Sequence, residues 1–335
     1  MEKILFLSHT EENGLLSSHA LEALTAACQI AEGLNSELTI GLFGGSTKKA
    51  VDQVTGKTLV VEGEPFTSSR YATDAAVGEA IYKAAGATVV VVPGTARNMR
   101  FLSGLASRCN GKVDTHITGF TVDGGLILHR WFYRQRMRAE VTRSDRPWFI
   151  AVDSGVFEPF VGTGGNAEPV SVSIDDALLR TTVNGVKAPE TGEQTIRPDA
   201  ETLFVAGAGW TKKQADGQPH TDEAAELILD FMKKSGASLG SSKSLVDLKG
   251  EGQSVLPFMT HLNQVGQTGS TPRHQKGLAT CCHGEEPHVV GWRFVNERRV
   301  INLDPNCGWA QGKADVLYVA DAFAVMSEVN KMISD

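Results

Sequence analysis

Cysteine is scarce in this chain of 335 residues, and long apolar runs are missing. The five cysteines are an odd and sparse set, so we expect no disulfide scaffold and infer a reducing compartment. No apolar run approaches the roughly 18 residues that span a bilayer. The opening segment MEKILFLSHT carries Lys3 before a short apolar run and then turns polar, unlike a signal or transit peptide. We therefore expect a cytoplasmic bacterial protein that is not a membrane protein.

A basic excess is lacking as well. Lysine and arginine total 32 against 39 acidic residues, which gives a formal net charge of −7. Nucleic-acid binders usually show a basic excess or stripe, so we expect no nucleic acid as partner. One short segment is locally basic and rich in aromatic residues. Its arginines stand at alternating strand positions, which favours a solvated face or a subunit contact over nucleic-acid binding. That segment contains Arg130, Trp131, Phe132, Tyr133, Arg134, Arg136 and Arg138.

The first 150 residues alternate apolar runs with helical patterns. They predict strands at Ile4–Leu7, Leu38–Leu42, Thr58–Val61 and Thr88–Val92, and helices at Ser18–Glu32, Ala75–Ala85 and Arg97–Arg108. This order predicts an N-terminal α/β domain with a mostly parallel sheet. Four later segments are short and closely spaced, which is typical of antiparallel strands added to a sheet edge. They are Gly119–Val122, Leu126–Arg130, Ala139–Thr142 and Trp148–Val152.

Residues 155–200 are rich in Gly, Pro, Thr, Glu and Asn and predict a linker that ends near Pro198, with one strand at Val170–Ile174. A second α/β unit begins at Thr202. We predict two domains, at residues 1–190 and 191–335, with a hinge at about 185–201. The second unit is predicted to contain strands at Leu203–Ala206, Leu278–Thr280, Val300–Leu303 and Leu317–Val319, helices at Asp222–Lys234, Ser254–Leu262 and Asp321–Met332, and a polar turn at Ser235–Ser244.

Isolated motifs in the chain are weak. Gly207-Ala208-Gly209 follows a predicted strand and fits either a phosphate-binding turn or a tight βα turn, and the sequence leaves both open. Gly44-Gly45-Ser46-Thr47-Lys48-Lys49 lacks the spacing of a P-loop, so an ordinary helix start is expected there. Cys281 and Cys282 are adjacent and have no second pair, so we expect no metal. No nucleophile–base arrangement is present in a known context, and no catalytic residue is predicted.

A longer set of motifs follows in the second unit. The run Gln264-Val265-Gly266-Gln267-Thr268-Gly269 resembles the flavin-binding signature of the electron transfer flavoprotein α-subunit family. Further matching pieces follow at that family's own spacing as far as Asn302, and the segment Leu239–Asp247 resembles the family's Gly-Ala-Ser-Arg-Ala-Ala-Val-Asp segment. The downstream pieces are His288-Val289-Val290-Gly291, Ile301-Asn302-Leu303-Asp304-Pro305 and Ala314-Asp315. The resemblance covers the whole chain and is strongest after residue 200.

This resemblance implies an electron carrier rather than a substrate-converting enzyme. It implies a C-terminal doubly wound, Rossmann-like domain that binds FAD, and an N-terminal domain that pairs with a β subunit in an αβ heterodimer. Electrons would pass from a flavin-dependent dehydrogenase to a membrane quinone reductase or an iron–sulfur protein. Two alternatives remain: a flavin-free structural or docking subunit of such a complex, and an α/β enzyme that uses an adenine nucleotide.

The resemblance also implies the cofactor-binding residues. Thr268 would lie near flavin N5, and His288 near the pyrimidine oxygen. Ser242 would bind a phosphate, while Asn302 and Asp321 would hold the adenosine end. The family's arginine is replaced by Lys243, and Glu285 and Glu286 add two carboxylates to the loop that precedes His288. The complete predicted set is Gly209, Ser242, Lys243, Val265, Gly266, Gln267, Thr268, His283, Gly284, Glu285, Glu286, Pro287, His288, Asn302 and Asp321.

Overall fold

Contacts within the chain divide it into two units, Met1–Lys187 and Ala188–Asp335. The computed structural model describes residues 2–132, 137–185, 196–197, 199–247, 255–266, 271–281, 295–306 and 314–333. None of the helices in these ranges is long and apolar enough to cross a membrane. The predicted hinge and the roles of the two domains stay predictions.

Unit 1 is built on one large sheet, sheet A. In chain order its strands are β1 (Lys3–His9), β2 (Glu37–Gly44), β3 (Gly56–Glu62), β4 (Val89–Pro93), β5 (Lys112–Val122), β6 (Leu126–Phe132), β7 (Met137–Val141), β8 (Trp148–Val152) and β9 (Gly165–Pro169). Their order in space is β7-β6-β5-β8-β4-β1-β2-β3-β9. Pairing is antiparallel for β5–β6 and β6–β7 and parallel for the other neighbours among the described residues. The predicted α/β domain with a mostly parallel sheet is therefore confirmed.

Helices cover both faces of sheet A. They are α1 (Ser18–Gly33), α2 (Lys48–Val51), α3 (Tyr71–Ala85) and α4 (Ala96–Arg108). Successive side chains of a strand point to opposite faces, so Ile4 and Phe6 of β1 join the core cluster that contains α1. Leu5 and Leu7 join the cluster that contains α3 and α4. Both faces of the central strands are buried, which is why their sequences read as continuous apolar runs.

Two strand predictions in unit 1 were wrong. Trp148–Val152 is not an antiparallel edge strand: β8 lies between β4 and β5 and is parallel to both. All five of its residues are buried, as an interior parallel strand requires. The strand predicted at Val170–Ile174 lies earlier, at Gly165–Pro169, where it pairs with β3 at the sheet edge. The Val170 amide still donates to the Val60 carbonyl of β3 at 2.8 Å, and Val172 and Ile174 pack on the core beyond the end of the strand.

Unit 2 is built on a second sheet, sheet B. In chain order its elements are β10 (Thr202–Ala206), α5 (Thr221–Ser235), β11 (Ser238–Ser241), α6 (Lys243–Asp247), β12 (His274–Thr280), β13 (Val295–Asn302), β14 (Val316–Val319) and α7 (Ala322–Met332). The spatial order is β11-β10-β12-β13-β14, and every described pair is parallel. The α/β class predicted for this unit is confirmed. Because the strands run the same way, their carboxyl ends meet along one rim, here called the carboxyl edge of sheet B.

Two predictions in unit 2 also failed. The polar turn predicted at Ser235–Ser244 contains β11, a fully buried strand whose sequence Ser-Leu-Gly-Ser lacks β-branched residues. The helix predicted at Ser254–Leu262 is not present in residues 255–262, where the structure has turns and the start of a single 3-10 turn at His261–Asn263. Pro257 falls in the middle of that segment, and proline interrupts helical hydrogen bonding.

Candidate functional site

Predicted cofactor residues come from distant parts of unit 2 and meet at the carboxyl edge of sheet B. Gly209 follows β10, Ser242 and Lys243 follow β11, Asn302 ends β13, and Asp321 lies two residues after β14. Ligands of open parallel α/β sheets bind outside the carboxyl ends of the strands. The topology therefore places these five residues where a ligand would be expected.

Val265 and Gly266 lie at the β11 end of the same edge. The Val265 amide donates to the Ser241 carbonyl at 3.0 Å, and a side chain at Gly240 would come within 2.5 Å of the Val265 methyl. Gly266 has a left-handed backbone with φ of +82°, and its amide donates to Thr271 Oγ1 at 2.7 Å. Both residues are thus held against the strand ends.

Eight predicted residues lie outside the described residues, so nothing in the structure bears on their positions. They are Gln267, Thr268, His283, Gly284, Glu285, Glu286, Pro287 and His288. The predicted contacts of Thr268 and His288 with a flavin ring therefore stay predictions.

The glycine-rich turn after β10 lies at the topological switch point of sheet B. There the chain leaves β10 for β11 on one side and later returns to β12 on the other, which is where a crevice is expected. The Gly207 amide donates to the Thr280 carbonyl and the Gly209 amide to the Cys281 carbonyl, both at 2.8 Å. A Cβ on Gly209 would lie 2.6 Å from the Cys281 carbonyl oxygen. The glycines therefore let the turn after β10 approach the backbone at the end of β12 closely, which favours the tight-turn interpretation.

The two serines at the end of β11 differ in their hydrogen bonding. Ser242 Oγ accepts from the Leu245 amide at 3.2 Å, so it caps the short helix α6. Ser241 is fully buried, and its Oγ has no hydrogen-bond partner among the described residues. Buried polar atoms are nearly always paired, so the Ser241 hydroxyl is an unused donor at this edge.

Lys243 supplies an accessible positive charge at the carboxyl edge. Its side chain is 53% exposed, and its Nζ lies 3.8 Å from the Asp247 carboxylate. Asp247 is shared with His261, whose Nε2 lies 2.8 Å from the other carboxylate oxygen. An exposed ion pair of this length is weak, so Lys243 can turn to an anionic ligand at little cost.

Asn302 and Asp321 are engaged locally. Asn302 Nδ2 donates to the Asp304 carbonyl at 3.0 Å. Asp321 Oδ1 accepts from the Phe323 amide at 2.9 Å and so caps α7. Both side chains keep oxygen atoms that these bonds do not use, because each amide or carboxylate group has more than one site.

A family model described as the electron transfer flavoprotein domain matches residues 4–177, which is more than half of the chain. The chain belongs to the electron transfer flavoprotein domain family. Members of this family generally bind flavin and act with electron-transfer partner proteins. The match lies within unit 1, whereas the candidate site lies in unit 2. No curated protein matches the chain.

Two further residues, Ser241 and Cys281, lie at the carboxyl edge, and the sequence did not indicate either of them as a site candidate. Cys281 has a left-handed backbone with φ of +54°, a strained conformation that is found preferentially at functional sites. Burial, together with the Asp321 charge, raises the pKa of the Cys281 thiol far above its usual range, so it stays protonated at neutral pH. The strand ending at Ser241 could have been found from the need of a βαβ unit for a second parallel strand.

The motif Gly44–Lys49 in unit 1 begins a helix, as predicted. Thr47 precedes α2, and its amide and hydroxyl both donate to Glu62. These hydrogen bonds lower the pKa of Glu62. The protein's own carboxylate therefore occupies the helix start that a phosphate loop would offer.

Proposed function

We propose that this chain is the α subunit of an electron transfer flavoprotein, and that it binds FAD at the carboxyl edge of sheet B. As an αβ heterodimer with a β subunit, it would carry electrons from a flavin-dependent dehydrogenase to a quinone reductase or an iron–sulfur protein. Family membership supports the electron-transfer class. The choice of the α subunit, of FAD and of these partners is the proposal.

One observation carries the proposal. Residues drawn from four loops of unit 2 converge on a single edge, and each of them is in the set for which the α-subunit resemblance implies cofactor contacts. Convergence on the carboxyl edge does not follow from the sequence resemblance alone. It requires that every strand of sheet B runs in the same direction, which is what the pairing shows.

The chemistry of the described residues fits an elongated anionic cofactor. Neighbouring strands lie about 4.8 Å apart, so the edge from β11 to β14 extends over roughly 19 Å. At the β11 end the exposed Lys243 would face a phosphate, beside Ser242, for which the resemblance implies the same role. Asn302 and Asp321 would hydrogen-bond sugar hydroxyls at the other end. When bound, the flavin supplies the electron-carrying chemistry, and the protein sets its position and electrostatics.

One observation favours the second candidate, a flavin-free docking subunit. The amides of Gly207 and Gly209, which would serve a phosphate in a glycine-rich turn, are already donated to Thr280 and Cys281. The cofactor would then depend on the remaining loops for phosphate contacts. A stable αβ pair without flavin is the result expected of the docking subunit.

The test is to co-express the chain with a β subunit from the same genome, record the visible spectrum of the purified pair and identify the released cofactor. We expect flavin absorption bands and one FAD per pair. A pair that stays colourless after incubation with FAD would overturn the FAD proposal and favour the docking subunit. Release of FMN in place of FAD would reject the choice of cofactor while leaving the family's flavin chemistry in place.

A matched pair of lysine variants locates the site within unit 2. Lys243→Ala removes the charge beside the carboxyl edge, and we expect the dissociation constant for FAD to rise about tenfold. Lys276→Ala removes a lysine that lies near the amino end of β12 and pairs with Glu201, so it should leave FAD binding unchanged. Equal effects of the two substitutions in a fluorescence titration would reject this placement of the cofactor.

A further inference from the structure

Unit 2 carries a groove between helices α5 and α7. His220 directly precedes α5 and lies edge-on to Phe323 at the start of α7, with ring centroids 6.4 Å apart. Lys234 near the end of α5 donates to the Asn330 carbonyl near the end of α7 at 2.8 Å. The two helices therefore run side by side in the same direction. The groove between them has a volume of about 480 Å³, which is within the range of small-molecule sites.

Both lysines that line the groove already have partners. Lys234 Nζ lies 3.0 Å from the Asp230 carboxylate, in addition to its bond with the Asn330 carbonyl. Lys331 Nζ donates to Glu328 at 2.6 Å, and both of these side chains are about two-thirds exposed, so solvent screens the charge. Neither lysine therefore offers an uncompensated positive charge to an anionic ligand.

Three hydrogen-bond acceptors that line the groove have no partner within the described ranges. Asn330 is 4% exposed, which places it at the base of the groove. Its Nδ2 donates to the Leu227 carbonyl at 2.9 Å, whereas its Oδ1 has no hydrogen-bond partner. The exposed Glu226 carboxylate and the half-buried Ser327 hydroxyl are the other two acceptors. Because buried polar atoms are nearly always paired, the Asn330 oxygen indicates a donor supplied by a ligand.

The charge of the groove favours a cation. Glu223, Glu226 and Asp230 follow one another at helical spacing along the α5 wall. Glu223 lies 3.3 Å from His220, and Asp230 pairs with Lys234. Glu226 is therefore the carboxylate of this row that lacks a cation in the part of the chain that the structure describes. The groove also reaches the last turn of both helices, where the helix dipole is negative and favours positive charge.

We propose that this groove binds the primary ammonium group of a small amine, such as an alkyl diamine. An ammonium group carries one positive charge and three N–H donors. These donors match the Glu226 carboxylate, the Ser327 hydroxyl and Asn330 Oδ1, and hydrogen bonds between a cation and a carboxylate are among the strong ones. None of the lining residues belongs to the predicted cofactor set, so the inference does not rest on the proposed function.

The experiment is isothermal titration calorimetry of the full chain with 1,4-diaminobutane at low salt. We expect saturable binding with a dissociation constant below about 1 mM. The hexamethylated analogue of this diamine keeps both charges but has no N–H donor, so it should not bind saturably. Glu226→Gln should raise the dissociation constant for the diamine tenfold or more, and Ser327→Ala should raise it about threefold.

Asp222→Asn is the matched control. Asp222 is an exposed carboxylate of the same helix that does not line the groove, and its substitution changes the net charge as Glu226→Gln does. This variant should bind the diamine within twofold of the native chain. Circular dichroism and thermal unfolding check that each variant is folded. Equal weakening in Asp222→Asn and Glu226→Gln would mean that the amine responds to net charge alone, and the site would be rejected.

Further results distinguish the sources of the ammonium group. Tighter binding of Nα-acetyl-lysine amide than of the diamine, with the same loss in Glu226→Gln, would support the ammonium site and assign it to a lysine of a partner protein. Equal binding of the hexamethylated analogue would overturn the proposal, because N–H donors would then play no part. If neither amine binds up to about 10 mM, the proposal is also overturned, while FAD binding at the carboxyl edge is unaffected.

Discussion

Units 1 and 2 share a parallel α/β plan but differ in where their charges lie. In unit 1, Asp74 meets Arg97 at 2.8 Å with side chains 1% and 11% exposed, and the buried Asp114 meets both Arg130 and Arg143. In the described part of unit 2, every ion pair has a member that is more than a third exposed, as in the pair of Glu297 and Arg299.

This difference separates a scaffold from a responsive surface. A buried pair fixes geometry, because removing one partner leaves the other charge without compensation. Exposed charges are held weakly and can exchange one partner for another. Unit 1 therefore resembles a rigid platform, whereas Lys243 at the carboxyl edge of unit 2 can respond to a ligand. The family match to unit 1 and the candidate site in unit 2 agree with that division.

The largest expected effect comes from breaking the buried network of unit 1. Asp114 accepts from Arg130 at 3.1 Å, from Trp148 Nε1 at 2.9 Å and from two nitrogens of Arg143. Asp114→Ala leaves two arginines near each other without their carboxylate, and we expect unfolding to become easier by about 3–5 kcal/mol. Native-state hydrogen exchange on peptides of β8 measures the loss. Asp123→Ala, in an exposed turn of the same unit, should change it by less than about 0.5 kcal/mol, and equal losses would refute the network's role.

A neutral contact should be nearly as important in unit 2, where no ion pair among the described residues is buried on both sides. Gly209→Ala would place a Cβ 2.6 Å from the Cys281 carbonyl oxygen, a backbone atom that cannot move alone. We expect a loss of roughly 1–3 kcal/mol, read from hydrogen exchange on peptides of β10. Gly125→Ala meets nothing within 4 Å and serves as the control. An unchanged β10 in Gly209→Ala would show that the turn is not closed on Cys281.

The buried carboxylate of Glu22 in unit 1 differs from those of Asp74 and Asp114, because no cation is among its described partners. Glu22 is 7% exposed and accepts from the Gly155 amide; burial raises its pKa to about 7 despite that hydrogen bond. The folded-state pKa lies above the ordinary 4.5, so folding stability should fall as pH rises from 4.5 to 7 and then level off.

Glu22→Gln keeps an acceptor for Gly155 and removes this ionisation. The variant should be more stable than the native chain at pH 8 by roughly 1–3 kcal/mol, with little difference at pH 4.5. Urea unfolding at the two pH values measures the change. Glu32→Gln, at an exposed position of the same helix, should show no such pH-dependent gain. A gain of equal size at both pH values would mean that ionisation of Glu22 is not the cause.

Hydrophobic periodicity predicted most of the fold, but it missed elements whose own sequences do not indicate that they are buried or how they pair. Continuous apolar runs such as Val89–Val92 identify buried parallel strands directly. Ser238–Ser241 carries no such signal, since its place in the sheet is set by helix α5 returning the chain beside β10. Trp148–Val152 follows two antiparallel strands in sequence, and its parallel pairing depends on β4, whose Val89 pairs with Trp148 from 59 positions earlier.

The candidate site shows the same limit. Motif order indicated which residues to examine, and the parallel sheet brings the described ones to one edge. The sequence could not show that the Gly209 amide is already donated to Cys281, because those residues are separated by about 70 positions and meet only through the pairing of β10 with β12. Nor could it show that Ser241, rather than Ser242, keeps an unused hydroxyl.

The smallest expected effect tests the other side of the comparison, the exposed pairs of unit 2. Glu297 and Arg299 lie 3.0 Å apart on β13, and each side chain is 48% exposed. Glu297→Ala should lower stability by at most about 0.5 kcal/mol, because solvent screens the pair and the freed arginine stays hydrated. High salt should erase even that loss. Hydrogen exchange on peptides of β13 provides the measurement. A loss near the 3–5 kcal/mol expected for Asp114→Ala would mean that unit 2 also relies on fixed charges, and Lys243 could then no longer be regarded as free to turn toward a ligand.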